Sequence, residues 1–424
     1  MSNIIKETII EFHQREFFDL ISRNIIVPNI SELNKVLVIT GPRRAGKTFL
    51  MYEIMLKKIN EKHQKEEFVY LNFDDIRFSN MKTIDFARLP QIYAEIYEHK
   101  PIFFLDEIQN LNDWESLILS LLNRNFEVYV TGSNAKLLSK EISTKLRGKS
   151  LEIQLFPFSF YEFLNAKKIT LEKNWKYSKQ LSILKRNFKN YFEIGGFPEI
   201  VLNPELSKEL LKSYIDQVIY KDISERYDIR NNKLIQIFIN YLINNMSSKF
   251  TIRSFQRYVQ SLGIKSSTST IHSFVKIIED SYFTFFVDLY DVSYKKRQAN
   301  PKKTYLIDVS YNNLSLKKEE HGRLLENIVF IELKRRNYDI FYHQDKYECD
   351  FIIQNKTKII SAIQVCYELN EKNKDREING LLEAMNKFNL KEGIILTLEQ
   401  SEELKFENKK IKIISIVNWL LENQ

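Results

Sequence analysis

Gly41-Pro42-Arg43-Arg44-Ala45-Gly46-Lys47-Thr48 spells G-x-x-x-x-G-K-T directly after the apolar run Val36 to Thr40. That pattern is suited to holding phosphate. A short strand enters a tight loop whose backbone N–H groups turn inward, and the helix that follows presents its positive N-terminus to anions. Gly41 and Gly46 permit backbone geometry that a Cβ would forbid. Lys47 is placed to reach β- and γ-phosphates, and the Thr48 hydroxyl can ligate Mg²⁺. Arg43 and Arg44 are read as nucleotide-adjacent or structural members of the loop.

A second chemical element is Pro101-Ile102-Phe103-Phe104-Leu105-Asp106-Glu107, an apolar run ending in two acids. Continuous apolar character fits a parallel strand covered on both faces. Asp106 would complete the Mg²⁺ shell, usually through water. Glu107 would polarise an attacking water. An acid pair with the glutamate second points to hydrolysis. Glu127 to Thr131, leading into Gly132-Ser133-Asn134, reads as a third strand, and Phe68 to Phe73, followed by Asp74-Asp75, as another of the same sheet. All must be neighbours if the loop and acids are to meet.

Taken in order, the phosphate loop, D-E-I-Q (Asp106 to Gln109), T-G-S-N (Thr131 to Asn134), Leu146-Arg147-Gly148-Lys149, Phe156-Pro157-Phe158-Ser159-Phe160-Tyr161-Glu162-Phe163 and Gly195-Gly196-Phe197-Pro198-Glu199 resemble prokaryotic AAA-superfamily ATPases with a C-terminal restriction-endonuclease-like domain. The resemblance runs from about residue 15 to about residue 400. It implies an α/β P-loop core, residues 1–160, and a helical lid, 161–230. It implies ATP and Mg²⁺ as ligands and a homo-oligomer as the working form. Asn134 or Ser133 would orient the attacking water. An arginine finger, often from a neighbouring subunit, would come from Arg147. Family members usually carry arginine where this chain has Lys149, so that assignment stays open. In Tyr220 to Tyr227, Asp222 and Arg226 share a helix face and can pair, or Arg226 can sense nucleotide.

Residues 231–317 read as a winged helix. From Asn231 to Ser310 there are 11 Lys+Arg against 5 Asp+Glu, net +6 of the +8 carried by the whole chain. Thr251 to Val259 shows apolar positions at helical spacing, and Ser267 to Lys276 starts a second helix with several capping residues. Tyr282 to Tyr290 and Lys303 to Asp308 are the expected wing strands, with Lys295, Lys296 and Arg297 in the loop between them. A basic module of this layout suits duplex DNA. A lid or protein contact with a solvated basic face is the alternative.

Residues 318–424 carry Glu326 on an amphipathic helix, Asp350 at the head of a strand, and Gln364-x-Cys366 on the next. The resemblance implies a nuclease-like core in which the last motif would be E-x-K. Here an amide and a thiol replace the second acid and the lysine, so a degenerate, inactive domain is expected, with Lys356 or Lys358 as possible migrated lysines. On paper, Gln364→Glu with Cys366→Lys would restore the set.

At 424 residues with 44% apolar content, several sizeable cores can form. No apolar run reaches 18 residues, and the N-terminus lacks an h-region, so neither a membrane span nor a signal peptide is expected. Two cysteines, Cys349 and Cys366, exclude a disulfide framework and a four-thiolate zinc site and fit a reducing cytoplasm. The expected activity is ATP hydrolysis coupled to a DNA- or protein-binding C-terminal region. The alternatives are an ATP-gated nuclease and a slow switch that docks a protein partner.

Overall fold

The computed structural model describes residues 2–17, 20–135, 144–229, 231–315 and 320–422. The chain forms two compact units, Met1–Leu155 and Phe156–Gln424. The expected boundary at 317/318 lies outside the described residues.

The first unit is built on five parallel strands: β1 (Val36–Thr40), β2 (Phe68–Asn72), β3 (Ile102–Asp106), β4 (Glu127–Gly132) and β5 (Ser150–Gln154), in the order β2-β3-β4-β1-β5. β1 and β3 are buried at every position, because helices and apolar loops cover both faces of a parallel sheet. One face packs under Ile5, Leu89, Trp114 and Leu121, the other under Leu50, Ile54 and Met55 of the helix Lys47–Asn60. The register Thr40↔Gly132 and Leu105↔Val130 aligns the C-terminal ends of β1, β3 and β4. The phosphate loop and both acids therefore emerge on one edge, where ligands of open α/β sheets bind.

The second unit begins with helices Phe160–Ala166, Gln180–Ile194 and Ser207–Gln217, the last continuing into a π-helical stretch, Val218–Glu225. Three helices follow, Asn232–Asn244, Ile252–Ser261 and Thr268–Asp280, with an antiparallel sheet of β6 (Ser248–Phe250), β7 (Thr284–Val287) and β8 (Lys302–Leu306) in the order β6-β8-β7. Thr251 and Ser267 cap their helices through side-chain oxygens, Ser267 being among the capping residues read from the sequence. Lys295, Lys296 and Arg297 do not lie in a loop: they form a short helix, Tyr294–Ala299, started by Ser293 accepting from the Lys296 N–H. Lys295 and Lys296 are exposed, but Arg297 is half-buried, its guanidinium 5.7 Å from the Phe341 ring.

The C-terminal part packs helix His321–Arg335 against a six-stranded sheet of order β13-β14-β12-β11-β10-β9. Its strands are β9 (Asp339–Gln344), β10 (Glu348–Asn355), β11 (Lys358–Val365), β12 (Glu392–Thr397), β13 (Glu402–Phe406) and β14 (Lys409–Ser415). β11, β12 and β14 run parallel, the helix Lys374–Lys387 making the crossover from β11 to β12. The segment after β7 is stitched to β9: Tyr290 N–H donates to Tyr342 O at 2.8 Å and Tyr342 N–H to Asp288 O at 3.1 Å. The three-stranded sheet and the C-terminal sheet thus share one body. Among the described residues no helix is long and apolar enough to cross a membrane.

Glu279, near the end of helix Thr268–Asp280, gives this unit a pH dependence. Burial raises its pKa to about 7, although the Phe286 N–H and Lys302 pull it down. Between about pH 4.5 and 7 the unfolded chain gives up this proton first, so stability is fully present below that window and falls as pH rises through it. Glu279→Gln is expected to raise unfolding stability at pH 8 by up to about 3 kcal/mol and to give no gain near pH 4. Urea denaturation at the two pH values checks this; equal effects at both would remove the titrating role.

Candidate functional site

The loop after β1 bends through Arg44 at φ 65° and Gly46 at φ 95°, the latter starting the helix Lys47–Asn60 from a left-handed residue. Glycine adopts that conformation without steric cost. Buried Arg23 donates to the Ala45 carbonyl at 2.8 Å and so braces the loop from behind. Lys47 is 4% exposed; its ammonium donates to the Gly41 and Pro42 carbonyls at 3.3 and 3.1 Å and stands 3.4 Å from Glu107 Oε1. Arg43 lies 3.7 Å from Asp74 Oδ2 on the rim.

Asp106 is fully buried at the end of β3 and collects three hydroxyl donors: Thr48 at 2.7 Å, Tyr70 at 2.9 Å, and Thr131. Burial and the neighbouring Glu107 charge push its carboxyl above the usual range, against those donors. Glu107 adopts φ 50°, an uncommon value for a non-glycine residue. Its N–H donates to the Thr131 hydroxyl at 3.0 Å, and its carboxylate accepts from Gln109. Burial drives the Glu107 carboxyl upward, yet Lys47 and Arg43 outweigh it, and the net shift is downward. It is therefore a carboxylate at neutral pH. The Thr48 hydroxyl and Asp106 carboxylate form a hard-oxygen pair of the kind Mg²⁺ takes, next to a loop carrying a buried ammonium.

Ser133 and Asn134 are buried beyond the end of β4, which lies between the acid strand and β1. The sheet order thus puts them on the same edge as the loop. Arg147 does not join this group. It is exposed in the turn before β5, and the register Val36↔Ser150 puts that turn at the opposite edge of the sheet from the phosphate loop. Lys149 donates to Asn123 Oδ1 at 3.1 Å. In the second unit, Arg226 lies 3.4 Å from buried Asp222, the helix-face pairing expected from their spacing. Tyr70, Thr131 and Gln109 were not singled out from the sequence. Thr131 and Gln109 lie inside the quoted T-G-S-N and D-E-I-Q runs, and Tyr70 is the one hydroxyl in an apolar strand.

A second cluster lies in the C-terminal unit. Glu326, Glu348 and Asp350 converge at a cavity of about 740 Å³. Their common partner is Lys303 of β8, whose ammonium is 2.8 Å from Glu326 Oε1, 2.7 Å from Glu348 Oε1 and 2.8 Å from Asp350 Oδ1. Burial lowers the Lys303 pKa, but Asp350 and Glu326 raise it further, and the net lies well above the ordinary value. Gln364 is committed elsewhere: its oxygen accepts from the Asp350 N–H at 3.2 Å and its amide donates to Glu377. Cys366 faces the Glu368 carbonyl, and burial raises its thiol to about 11. Lys356 and Lys358 sit exposed at the β10–β11 turn and do not reach the cluster. Gln364→Glu would set a carboxylate beside Glu377, whose Oε2 accepts from the Gln364 amide.

The Thr48–Asp106–Glu107–Lys47 set, with Lys47 and Asp106 buried and Thr48 and Glu107 half-buried, at the C-terminal edge of a parallel sheet defines a P-loop, AAA-type domain. Residues 33–164 match the AAA domain family, while residues 185–321 and 321–419 match two domains of unknown function, DUF8612 and DUF4143. An uncharacterized protein of Methanocaldococcus jannaschii is 37% identical over 404 residues, covering 93% of this chain and 85% of its own length, and the chain belongs to the family of that archaeal protein. An uncharacterized Haemophilus influenzae protein is 29% identical over 391 residues, covering 91% of this chain and 94% of its own. Among solved structures, a Walker-type ATPase of Pyrococcus abyssi aligns over 67% of this chain and 92% of its own at 12% identity and TM-score 0.41. A DNA polymerase III gamma subunit-related protein of Thermotoga maritima aligns over 59% and 97% at 13% identity and TM-score 0.28.

Proposed function

We propose that this chain is a Mg²⁺-dependent ATP hydrolase whose nucleotide state controls a DNA-binding C-terminal unit. The observation that carries this reading is the convergence of buried Lys47 and Asp106 with half-buried Thr48 and Glu107. Lys47 and the loop N–H groups of residues 41–48 bind the phosphates. Thr48 and Asp106 hold the metal, which neutralises charge on the transferred phosphate when bound. Glu107, held as a carboxylate, accepts the proton of the attacking water, and Asn134 orients that water. Arg147 serves a neighbouring copy, since it sits a strand's length, roughly 16 Å, from its own phosphate edge. On this reading hydrolysis accelerates as chains associate into a homo-oligomer.

The three helices with a β6-β8-β7 sheet have the order of a winged helix, and we assign duplex DNA to it from its net charge of +6. The C-terminal helix and sheet are read as a restriction-endonuclease-like core without nuclease activity. Lys303 among its carboxylates disfavours the ATP-gated nuclease. The docking of a protein partner stays as the second reading, favoured by the pinning of Arg297 on Phe341, which takes one cation out of the basic face.

Because only Lys295 and Lys296 project freely from their helix, replacing both by Ala is expected to weaken duplex binding and flatten the salt slope by about two units. Adding Arg297→Ala is expected to change the slope little further. Fluorescence anisotropy across a salt series measures this, and an unchanged slope in the double variant would take this helix off the DNA. ATP turnover with and without duplex DNA, together with solution mass with ATP, tests the coupling. A rate indifferent to DNA and to chain concentration would favour the docking switch instead.

A further inference from the structure

We propose that Lys303 is a built-in cation that occupies the carboxylate site of the C-terminal sheet and keeps divalent metal out of it. The proposal rests on the nuclease-like, inactive reading of this domain and gives that inactivity a specific cause. The sequence alone attributed it to Gln364 and Cys366. The structure attributes it to a residue from a different module.

An ammonium has three N–H donors and no acceptor. Lys303 faces three carboxylates, Glu326, Glu348 and Asp350, at 2.7 to 2.8 Å. Its donors are saturated, and it is 2% exposed. The carboxylates are further committed. The Tyr305 hydroxyl donates to the same Glu326 oxygen at 2.6 Å, Lys249 pairs with the other oxygen of Glu348, and the Val365 N–H donates to the other oxygen of Asp350 at 2.9 Å. Mg²⁺ demands oxygens at about 2.0–2.1 Å in near-octahedral order and keeps most of its water. An ion drawn to these oxygens would stand against the ammonium.

Lys303 is also held by the backbone. β8 is the central strand of its sheet, with Lys303 opposite Lys249 on one side and Val287 on the other. Swinging its side chain out would leave buried Glu326 and Asp350 without their cation, Glu348 keeping Lys249, and withdrawing its backbone would break the sheet. The cavity lining as a whole holds five basic and five acidic side chains. It has no surplus negative charge to attract a divalent cation and no surplus positive charge to attract a polyphosphate.

The test is Mn²⁺ uptake by the nucleotide-free full chain, read as loss of the free Mn²⁺ signal in electron paramagnetic resonance. All proteins carry Asp106→Asn, so that the nucleotide site does not contribute. The parent and its Asp350→Asn variant are expected to take up Mn²⁺ identically. Lys303→Met is expected to gain one Mn²⁺ per chain, bound at least about tenfold tighter than any on the parent, and Lys303→Met with Asp350→Asn to lose it. Mn²⁺ should raise the Tm of Lys303→Met and leave that of the parent unmoved. Since three acids without their cation can prevent folding, Lys303→Gln with Glu348→Gln provides a milder release with the same expectation.

A folded Lys303 variant that gains no Mn²⁺ would overturn the proposal and leave the inactive reading standing. Tight Mn²⁺ uptake by the parent that Asp350→Asn abolishes would overturn it without any Lys303 variant. Metal-dependent nicking of plasmid by the native chain, lost in Asp350→Asn, would overturn both readings together.

Discussion

Glu107→Gln is expected to retain ATP binding within a few-fold of native and to lose hydrolysis by on the order of 10²–10⁴-fold. The expectation follows from where the carboxylate is held. Glu107 projects from the residue just past the acid strand at φ 50°, with its N–H on Thr131 and its carboxylate beside Lys47 and Gln109. Its downward net shift keeps it ionised and able to take a proton from water. The amide fills the same volume and keeps a hydrogen-bonding end, so the loop geometry survives while the base is removed. Binding is read by a fluorescent ATP analogue, turnover by phosphate release. A variant hydrolysing ATP within threefold of native would remove Glu107 from the chemistry.

Gly196→Ala is expected to destabilise the second unit by about 3 kcal/mol or more, a fall in Tm on the order of 10 °C. Gly196 accepts from the Phe158 N–H at 2.7 Å and donates to buried Asp308 at 2.8 Å. A Cβ there would lie 2.3 Å from the Phe158 carbonyl oxygen. Moving away breaks one of those hydrogen bonds, and losing the second leaves buried Asp308 with the Ser310 N–H on Oδ1 and no Gly196 donor on Oδ2, which costs more than the bond itself is worth. Gly322→Ala is the control, because its Cβ meets nothing within 4 Å at the start of a helix and alanine is the better helix former. Differential scanning calorimetry compares the two, and equal small effects would show that the G-G-F-P run is not a packing joint.

The nucleotide edge was legible because each of its parts carries a local signal. Gly-x-x-x-x-Gly-Lys-Thr declares its own turn, and continuous apolar runs of five residues ending in acids declare buried parallel strands. The two helices of the basic module were legible for the same reason, through the apolar spacing of Thr251 to Val259 and the capping residues from Ser267. The helix Tyr294–Ala299 was not, since six residues are too short to show a period, although Ser293 ahead of Lys296 is a capping signal. Lys303 was illegible. Its partners lie 23 to 47 positions away, and the sequence marks it as nothing more than the first residue of a wing strand. The hydrogen bonds of Leu306 with Asn327 and the stitching of the β7–β8 segment to β9 bring it over Glu326 and Asp350. Tyr70 was hidden in the opposite way, since an aromatic in an apolar strand reads as core until the register Asn72↔Asp106 brings its hydroxyl to the acid.

ATP hydrolysis at the Lys47–Thr48–Asp106–Glu107 edge is measured most directly as Mg²⁺-dependent phosphate release by the purified full chain, native against Lys47→Ala. Steady turnover by the native chain is expected to disappear on chelation of Mg²⁺ and to fall by at least about 100-fold in Lys47→Ala, together with weakened ATP binding. Turnover by Lys47→Ala at the native rate, or a native chain that binds ATP and releases no phosphate at any concentration with or without DNA, would contradict hydrolysis at this edge.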